Sequence, residues 1–394
     1  MCLRIYTLCG SFSVAGLTRQ IVLQQIVETE SRHGGLAPTG NYRELEFSHS
    51  PLCLPSLCDS FSGEIRMIDT RYAYAVARVR ALENYLLDRP TVERLISAED
   101  GTKALSVLRN TEYAEAFNDV ENLFDFEEGL SNELNKVLNF LAALSPEQHY
   151  IHLLRIPHDF YNLKILLETK YSGEQVDEPF SMLGLTPLEN LQTMIEGKYG
   201  NAPEYLREAS LQVSMEMENR GSNEVFQISQ TLDKVMWQYL TSEAKKSKNT
   251  FLITYYQKQI DLINIHTFLR LIHAQAEADY LQQMLFDNGS MSIDFFLKLF
   301  SKSWDIFSEI KDYQDLVMDG WAEERLFWKY EVVSDNHILN YLKQANLIFF
   351  GPEPLIRYYF LKEMETNLLR IIFVAKLNHL SEDKIRIRLR ANYV

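Results

Sequence analysis

Histidines and acidic residues are the side chains in this sequence that could act as metal ligands or as catalytic acids and bases. His149 and His152 lie three residues apart, so on a helix they would share one face, as two metal ligands do. From residue 67 onward no acidic residue stands three residues before a histidine, so the Glu-x-x-His pattern of di-iron bundles is absent. We therefore interpret these histidines as surface or core residues and predict no metal site.

Two acidic clusters, Asp119-Val-Glu121 and Asp125-Phe-Glu127-Glu128, are similar to the metal-binding helices of all-α prenyl-diphosphate enzymes. Such enzymes need two aspartates on one helix face to hold Mg²⁺ on diphosphate, and that array is missing from the sequence. The motifs G-x-x-x-x-G-K-[ST], H-E-x-x-H and G-x-S-x-G are missing as well. The sequence therefore predicts no catalytic residue and no cofactor. A metal-dependent all-α enzyme, or an unrelated helical scaffold, stays as the alternative function.

Residues 1–66 differ in character from the rest of the chain. They hold all four cysteines, at positions 2, 9, 53 and 58, and none of these spacings is typical of a zinc site. A signal peptide is disfavoured because Arg4 is the only early positive charge and Gly10 interrupts the apolar stretch. From Met67 the pattern changes abruptly to amphipathic helix. We expect residues 1–66 to be an N-terminal extension that is not native, with Met67 as the true start.

The composition limits the classes of partner. The chain has a net charge of −15 and 46% hydrophobic residues, enough to bury a core. A broad negative field repels nucleic acid and anionic lipid and favours basic protein surfaces. The longest uncharged run, Ile5–Thr18, is shorter than the ~20 apolar residues that a membrane-spanning helix needs. We expect no nucleic acid partner and no direct membrane span, so any membrane association runs through a protein partner.

The hydrophobic periodicity predicts helices throughout the chain after residue 66. A first helix from Asp69 has apolar residues every three or four positions. Ser145-Pro146-Glu147 is typical of a helix start, and Pro157 should kink or break the helix that follows. Long helices are predicted over residues 250–285 and over the stretch that follows Gly351-Pro352. No strand is predicted, so the fold class is all-α.

Three helices carry similar local sequence at a period near 102. The similar segments begin at Asp159, Asp261 and Glu365, and each contains an asparagine followed by an aliphatic residue, at positions 162, 264 and 367. Asparagine is disfavoured inside a helix unless its side chain is used. We therefore expect one structural role performed three times, such as bonding a neighbouring helix or turn. Tyr113 and Tyr313 form a weaker echo at about twice the period.

The repeat predicts three helical units of similar length. They follow the N-terminal extension and cover residues 67–175, 176–286 and 287–394. If these units close around a pseudo-threefold axis, they form a cup with a central depression.

Two stretches of the sequence carry a family likeness. One opens Met67-Ile-Asp-Thr-Arg-Tyr72 and runs to Glu83, and the other opens Gly351-Pro-Glu353-Pro354 and ends Arg390-x-x-Tyr393-Val394. Both resemble the C subunits of the A/V-type ATP synthases, the counterparts of the d subunit in eukaryotic V-ATPases. The likeness covers essentially residues 67–394, and residues 1–66 have no counterpart in it.

The resemblance implies an architecture and a role. The fold would be three similar helical domains around a pseudo-threefold axis, shaped as a funnel with a central cavity. The chain would be a noncatalytic rotor component of the central stalk, peripheral on the cytoplasmic face of the plasma membrane. It would seat the D and F subunits of the central shaft on the membrane proteolipid ring, near the membrane part of the stator. In that position it would transmit torque for ATP-coupled H⁺ or Na⁺ transport.

Eight charged residues match motifs of that family and are candidates for the ring or shaft interfaces. They are Arg78, Arg80, Glu83, Glu353, Arg370, Lys376, Arg386 and Arg388. For each of them, pairing between helices or capping of a helix end is the competing structural role.

Overall fold

The computed structural model describes residues 70–120, 122–173, 179–220, 226–300, 310–317 and 327–390. Within these ranges every regular element is a helix and no strand occurs, which confirms the all-α prediction. The predicted N-terminal extension, residues 1–66, lies outside the described residues. In the described part, no helix combines the length and the apolar character needed to span a membrane.

The α-helices in chain order are α1 (Ala73–Glu83), α2 (Arg89–Ser97), α3 (Gly101–Leu108), α4 (Phe126–Leu144), α5 (Gln148–Ser172), α6 (Leu188–Ile195), α7 (Glu204–Arg220), α8 (Phe226–Ser247), α9 (Thr250–His273), α10 (Ala278–Met284), α11 (Ile293–Phe300), α12 (Gln314–Val317), α13 (Phe327–Leu342), α14 (Glu353–Leu377) and α15 (Glu382–Arg386). Short 3-10 turns occupy Thr70–Tyr72, Glu115–Phe117, Leu123–Asp125, Lys311–Tyr313 and Lys343–Leu347.

Three long helices, α5, α9 and α14, form the centre of the fold. They contain 25, 24 and 25 residues, and most of the side chains on each are buried. A helix that is buried on nearly all sides must be covered by neighbours around its whole circumference. Here α8 packs between α5 and α9, and α4 packs on α14. These three helices also carry the repeated sequence segments.

Two boundaries differ from the prediction. Pro157 was predicted to kink or break the helix, and the break does not occur. Pro157 lies inside α5, because both halves of the helix are buried and their packing outweighs the ~3 kcal/mol cost of an internal proline. The helix predicted over 250–285 is divided into α9 and α10. Gln275 takes a left-handed conformation, and the N–H of Ala276 donates to the Leu271 carbonyl, which closes a Schellman turn. Such a turn usually contains a glycine, and the sequence has none at this position, so it gives no signal that the helix ends here.

The buried apolar residues form two clusters. The larger one joins α1 and the C-terminal half of α4 to the helices from α5 onward, including the N-terminal half of α14. The smaller one joins residues 87–130 to residues 368–389. The chain therefore packs its first described segment against its last long helix. The unit boundaries expected at 175 and 286 stay a prediction.

Candidate interaction site

The three long helices begin close together. The N-cap residue of α9, Asn249, donates its side-chain amide to Oε1 of Glu353, the first residue of α14, over 2.8 Å. Tyr150, in the first turn of α5, lies near Asn249 and the Glu353 carboxylate, and burial is the main cause of its raised pKa. The starts of α5, α9 and α14 therefore converge. We call this the helix-start end.

Two buried aspartates occupy the same depth along α5 and α9. Asp159 and Asp261 each lie about three helical turns after the first residue of their helix. Both are 0% exposed. Oδ2 of Asp159 accepts a hydrogen bond of 2.8 Å from the hydroxyl of Tyr205, and Oδ2 of Asp261 accepts one of 2.9 Å from the hydroxyl of Tyr313. We call each arrangement an acid–tyrosine contact.

Each aspartate also accepts a hydrogen bond from the backbone of a connection that comes later in the chain than its helix. Oδ1 of Asp159 accepts from the N–H of Thr186 at 2.9 Å, and Oδ1 of Asp261 accepts from the N–H of Met291 at 3.1 Å. A glycine lies against each carboxylate, at positions 184 and 289, and a Cβ atom at either position would overlap Oδ1. Burial raises the pKa of both aspartates, and these hydrogen bonds oppose the rise.

A third acid–tyrosine contact joins the two ends of the described chain. Glu365 also lies about three helical turns after the start of its helix, α14, and is buried. Its Oε2 accepts a hydrogen bond of 2.6 Å from the hydroxyl of Tyr113, and its Oε1 accepts from the backbone N–H of Leu87. The same three groups therefore recur a third time: an acid at nearly the same helix depth, a tyrosine hydroxyl and a turn N–H. In this contact the tyrosine and the turn precede the helix in sequence.

The third contact contains an additional buried cation. Lys362 Nζ lies 2.9 Å from Oε2 of Glu365 and 2.9 Å from Oε1 of Glu133, which belongs to α4. All three side chains are at most 5% exposed, and the ammonium lies 4.1 Å from the ring centre of Tyr113. Burial lowers the pKa of Lys362, but the two carboxylates outweigh burial and the net pKa is raised.

The repeated asparagines perform the predicted role in two of the three helices. The side-chain amide of Asn162 exchanges two hydrogen bonds with the backbone of Ser181, and that of Asn264 does the same with Phe286. Asn367 is exposed and binds Arg370 on its own helix, so the prediction is wrong for the third position. Asn367 lies two residues after its acid, whereas the other asparagines lie three residues after theirs. That one-residue difference turns its side chain away from the core by about 100°.

A small central pocket lies between α5, α8, α9 and α14, one to three helical turns from the helix-start end. Its volume is about 30 Å³, enough for roughly two water molecules. Its walls are Leu153, Leu154, Pro157, His158, Met236, Trp237, Leu240, Tyr255, Tyr256, Tyr359, Phe360 and Glu363. Aromatic rings close it, with Tyr255 stacked on Phe360 at 4.2 Å between ring centres. The family resemblance implies a central cavity, and this pocket is too small to receive a protein segment.

A polar chain crosses this pocket. Ser181 Oγ lies 3.1 Å from Nδ1 of His158, Nε2 of His158 lies 3.3 Å from the hydroxyl of Tyr359, and that hydroxyl donates to Glu363 Oε1 over 3.4 Å. Burial lowers the pKa of His158 to about 3 and raises the pKa of Glu363 to about 7. His158 is therefore neutral at pH 7, and Glu363 is partly protonated.

Three of the eight candidate residues join other parts of the chain to the helix-start end or to α14. Arg80 pairs with Glu83 on α1 and donates to the carbonyl of Ala345 over 2.6 Å. Glu83 also pairs with Arg357 of α14. Glu353 begins α14 and accepts the hydrogen bond from Asn249.

The other five lie on or near the second apolar cluster or on the surface. Arg370 pairs with Glu127 at 2.9 Å, and Lys376 donates to the carbonyls of Ile96 and Ala98 at the end of α2. Arg386 pairs with Glu93, Glu382 and Asp383, and Arg388 lies 5.7 Å from the ring centre of Trp328. Arg78 is exposed, with its guanidinium 5.9 Å from the ring centre of Phe140. Arg78 is thus the candidate with the fewest described intramolecular contacts.

No further metal-ligating side chain in the described part of the chain lies with His149 and His152 of α5. His149 lies beside His152, whose pKa is lowered by burial and by the nearby His149 and Arg155. No group of three or more His, Cys, Asp and Glu side chains in the described part of the chain is placed to hold a metal ion.

Tyr205 and Glu363 were not predicted from the sequence. Tyr205 does not lie midway between Tyr113 and Tyr313, so it does not match the sequence period of about 102 residues. The reason is that the connections between the helices differ in length. Glu363 lies on a helix with buried residues on every side, where one carboxylate gives no periodic signal. A tyrosine 46 to 52 residues after each repeated aspartate is the signal that would have marked Tyr205 together with Tyr313.

Comparison with known proteins identifies relatives over most of the chain. Residues 75–388 match the family model for the ATP synthase (C/AC39) subunit. The chain is 25% identical over 324 residues to the C subunit of the V-type sodium ATPase of Enterococcus hirae, which covers 80% of this chain and 97% of that protein. It is 25% identical over 352 residues to the C subunit of the A-type ATP synthase of Methanococcoides burtonii, covering 80% and 93%. It is 22% identical over 342 residues to the C subunit of the A-type ATP synthase of Methanocaldococcus jannaschii, covering 80% and 85%. The chain belongs to the ATP synthase (C/AC39) subunit family.

Proposed function

We propose that this chain is the noncatalytic central-stalk component of a V-type or A-type ATPase, and that it seats the D and F subunits of the shaft on the membrane proteolipid ring. The observation that carries the proposal is the family match over residues 75–388. In this role the protein turns with the rotor, on the cytoplasmic face of the plasma membrane and next to the membrane part of the stator. It passes torque between the ATP-hydrolysing head and the ion-carrying ring.

The internal contacts suit a part that must resist shear. Each long helix is joined to a neighbouring turn and tyrosine through a buried acid, at nearly the same depth from the helix start. Sliding one helix along its neighbour by a turn would leave a buried carboxylate without donors, which costs ~1–3 kcal/mol or more per contact. The recurrence of this contact supports three helical units, with boundaries near residues 175 and 286, around a pseudo-threefold axis.

Affinity purification of the tagged full chain from membranes of its own organism, in mild detergent, tests the assignment. We expect the shaft subunits and the proteolipid to be recovered with it. A bead attached to exposed Met215 on α7, after Met215→Cys substitution, should rotate when ATP is added to complexes fixed by the head. Recovery of unrelated partners, or a bead that stays still while the shaft turns, would contradict the proposal.

A further inference from the structure

The central pocket between α5, α8, α9 and α14 contains a carboxylate with no cation opposite it. The hydroxyl of Tyr359 donates to Oε1 of Glu363 over 3.4 Å, which is a long and therefore weak hydrogen bond. No ion pair with Glu363 occurs in the described part of the chain, and the nearby charges of Arg370 and Asp335 act on it in opposite directions. Moving a carboxylate out of bulk water is unfavourable unless a cation compensates its charge. This position therefore favours a positively charged ligand.

The pocket opens to solvent beside this carboxylate. Among the lining residues named above, Glu363 and Pro157 are partly exposed, and the others are buried. A ligand that enters here meets the carboxylate at the mouth and finds apolar and aromatic side chains behind it. Such a site fits a small molecule with a cationic group at one end and an apolar group at the other.

The inner wall of the pocket is largely aromatic. It includes Trp237, Tyr255, Tyr256, Tyr359 and Phe360. The faces of such rings carry partial negative charge and attract ammonium groups within about 6 Å of the ring centre. Among the described residues that line the pocket there is no lysine or arginine. Burial lowers the pKa of His158 to about 3, so this ring adds no positive charge at neutral pH.

The number of oxygen atoms and the volume both favour an organic cation. The described lining residues offer two carboxylate oxygens and three phenol oxygens, whereas Ca²⁺ takes about six to eight oxygen ligands. The volume of about 30 Å³ holds roughly two water-sized groups. Methylammonium has that number of non-hydrogen atoms.

We propose that this pocket binds a free, short primary alkylammonium ion such as methylammonium. Its ammonium group donates hydrogen bonds to the Glu363 carboxylate, and its alkyl group lies against the aromatic wall. All the residues of the site belong to this chain, so the proposal depends neither on the proposed function nor on a partner protein.

Saturation-transfer NMR of the full chain at pH 8, with methylammonium chloride as the probe, tests the proposal. Irradiating the aromatic protons of the protein should transfer saturation to the methyl protons of the bound ion. A ligand of two non-hydrogen atoms has a Kd no tighter than about 5 mM, so the titration extends to about 100 mM at constant ionic strength. Tetramethylammonium chloride is too large for the pocket and should show no transfer.

Two variants separate the pocket from the rest of the surface. Glu363→Gln keeps the shape of the side chain and removes its charge, so it should weaken methylammonium binding at least tenfold. The control Glu208→Gln changes an exposed carboxylate on α7 and should bind as the unmodified chain does. Far-UV circular dichroism checks that all three proteins are folded.

The pH dependence gives a second readout. Burial raises the pKa of Glu363 to about 7, so the apparent affinity should rise about tenfold between pH 6 and pH 8 as this carboxyl ionises. The probe stays protonated over this range. The titratable and charged groups that face Glu363 are His158, Tyr255, Tyr256, Tyr359, Arg370 and Asp335. Affinity for Glu363→Gln should be independent of pH.

A lysine side chain of another protein is the second source of a primary ammonium group. Nα-acetyl-lysine amide can enter only with its charge first, so it should not displace methylammonium. Displacement at equal concentration would show that the site takes a protein side chain and that the proposal of a free ion is wrong. Transfer that persists in Glu363→Gln, that is equal for tetramethylammonium, or that is absent from the unmodified chain would also overturn it.

Discussion

Replacing Lys362 with methionine removes the cation that pairs with two buried carboxylates. Lys362 Nζ lies 2.9 Å from both Glu133 and Glu365, which are 5% and 0% exposed. Oε2 of Glu133 is buried and has no hydrogen-bond partner among the described residues, so Glu133 depends on the lysine. Glu365 keeps the Tyr113 hydroxyl and the Leu87 N–H as donors. Methionine fills a similar volume, so the change tests charge more than packing.

The expected cost follows from the unpaired charges. Removing one partner of a buried ion pair typically costs ~3–5 kcal/mol, because the remaining charge is buried without compensation. Lys362→Met should therefore lower the free energy of unfolding by about that amount at pH 7. The control Lys343→Met changes an exposed lysine that binds Asn340, and should stay within ~0.5 kcal/mol.

Urea unfolding followed by tryptophan fluorescence measures these values. A double variant, Lys362→Met/Glu133→Gln, separates charge from packing, because it also removes the carboxylate that the single variant leaves uncompensated. We expect the double variant to regain about half of the loss, ~1.5–2.5 kcal/mol. A single variant that loses under ~1 kcal/mol, or a double variant no more stable than the single one, would refute the reasoning.

Three further changes test other parts of the site. Tyr205→Phe and Tyr313→Phe each remove a hydroxyl that donates to a buried aspartate, and each should cost ~1.5–3 kcal/mol in urea unfolding. Asn264→Ala should cost ~2 kcal/mol because it breaks two buried hydrogen bonds, whereas Asn367→Ala should stay within ~0.5 kcal/mol. The pKa of Glu363 is raised from 4.5 to about 7, so its protonated form favours the folded state. The unmodified protein should therefore lose up to ~3 kcal/mol of unfolding free energy between pH 4.5 and 7, and Glu363→Gln should flatten that slope.

The fold class and the core faces of helices could be predicted because they depend on local periodicity. The apolar face that begins at Tyr72 is buried as its spacing indicates, and α14 begins at Glu353 as the Gly-Pro signal indicates. The division of α9 from α10 could not be predicted in this way. Gln275 adopts a left-handed backbone conformation that glycine usually adopts, and only tertiary packing holds Gln275 in it.

The candidate site was predictable only in part. The repeated sequence segments identified the part of each helix that contains Asp159 and Asp261, because the segments around these two residues share spacing and residue types. The partner tyrosines sit on connections of different lengths, and contacts between distant residues leave no mark at a fixed period. The family motifs pointed to charged residues such as Arg370 and Lys376, whose contacts in this structure lie within the chain. A residue can match a family motif because it stabilises the fold that the family shares, and not because it contacts a partner.

The order of the groups in the third acid–tyrosine contact has a consequence for assembly. In the first two contacts the helix comes first and its turn and tyrosine follow, so each can form between neighbouring parts of the chain. In the third, Tyr113 and Leu87 lie far before Glu365 in the chain, and the contact forms only when the last long helix is present. Residues 87–130 bury their apolar side chains against that helix. A chain that ends before α14 should therefore expose the segment around Tyr113 to protease while α5 to α9 stay protected. Protection of both regions to the same degree in such a truncated chain would show that the first segment folds without its partner helix.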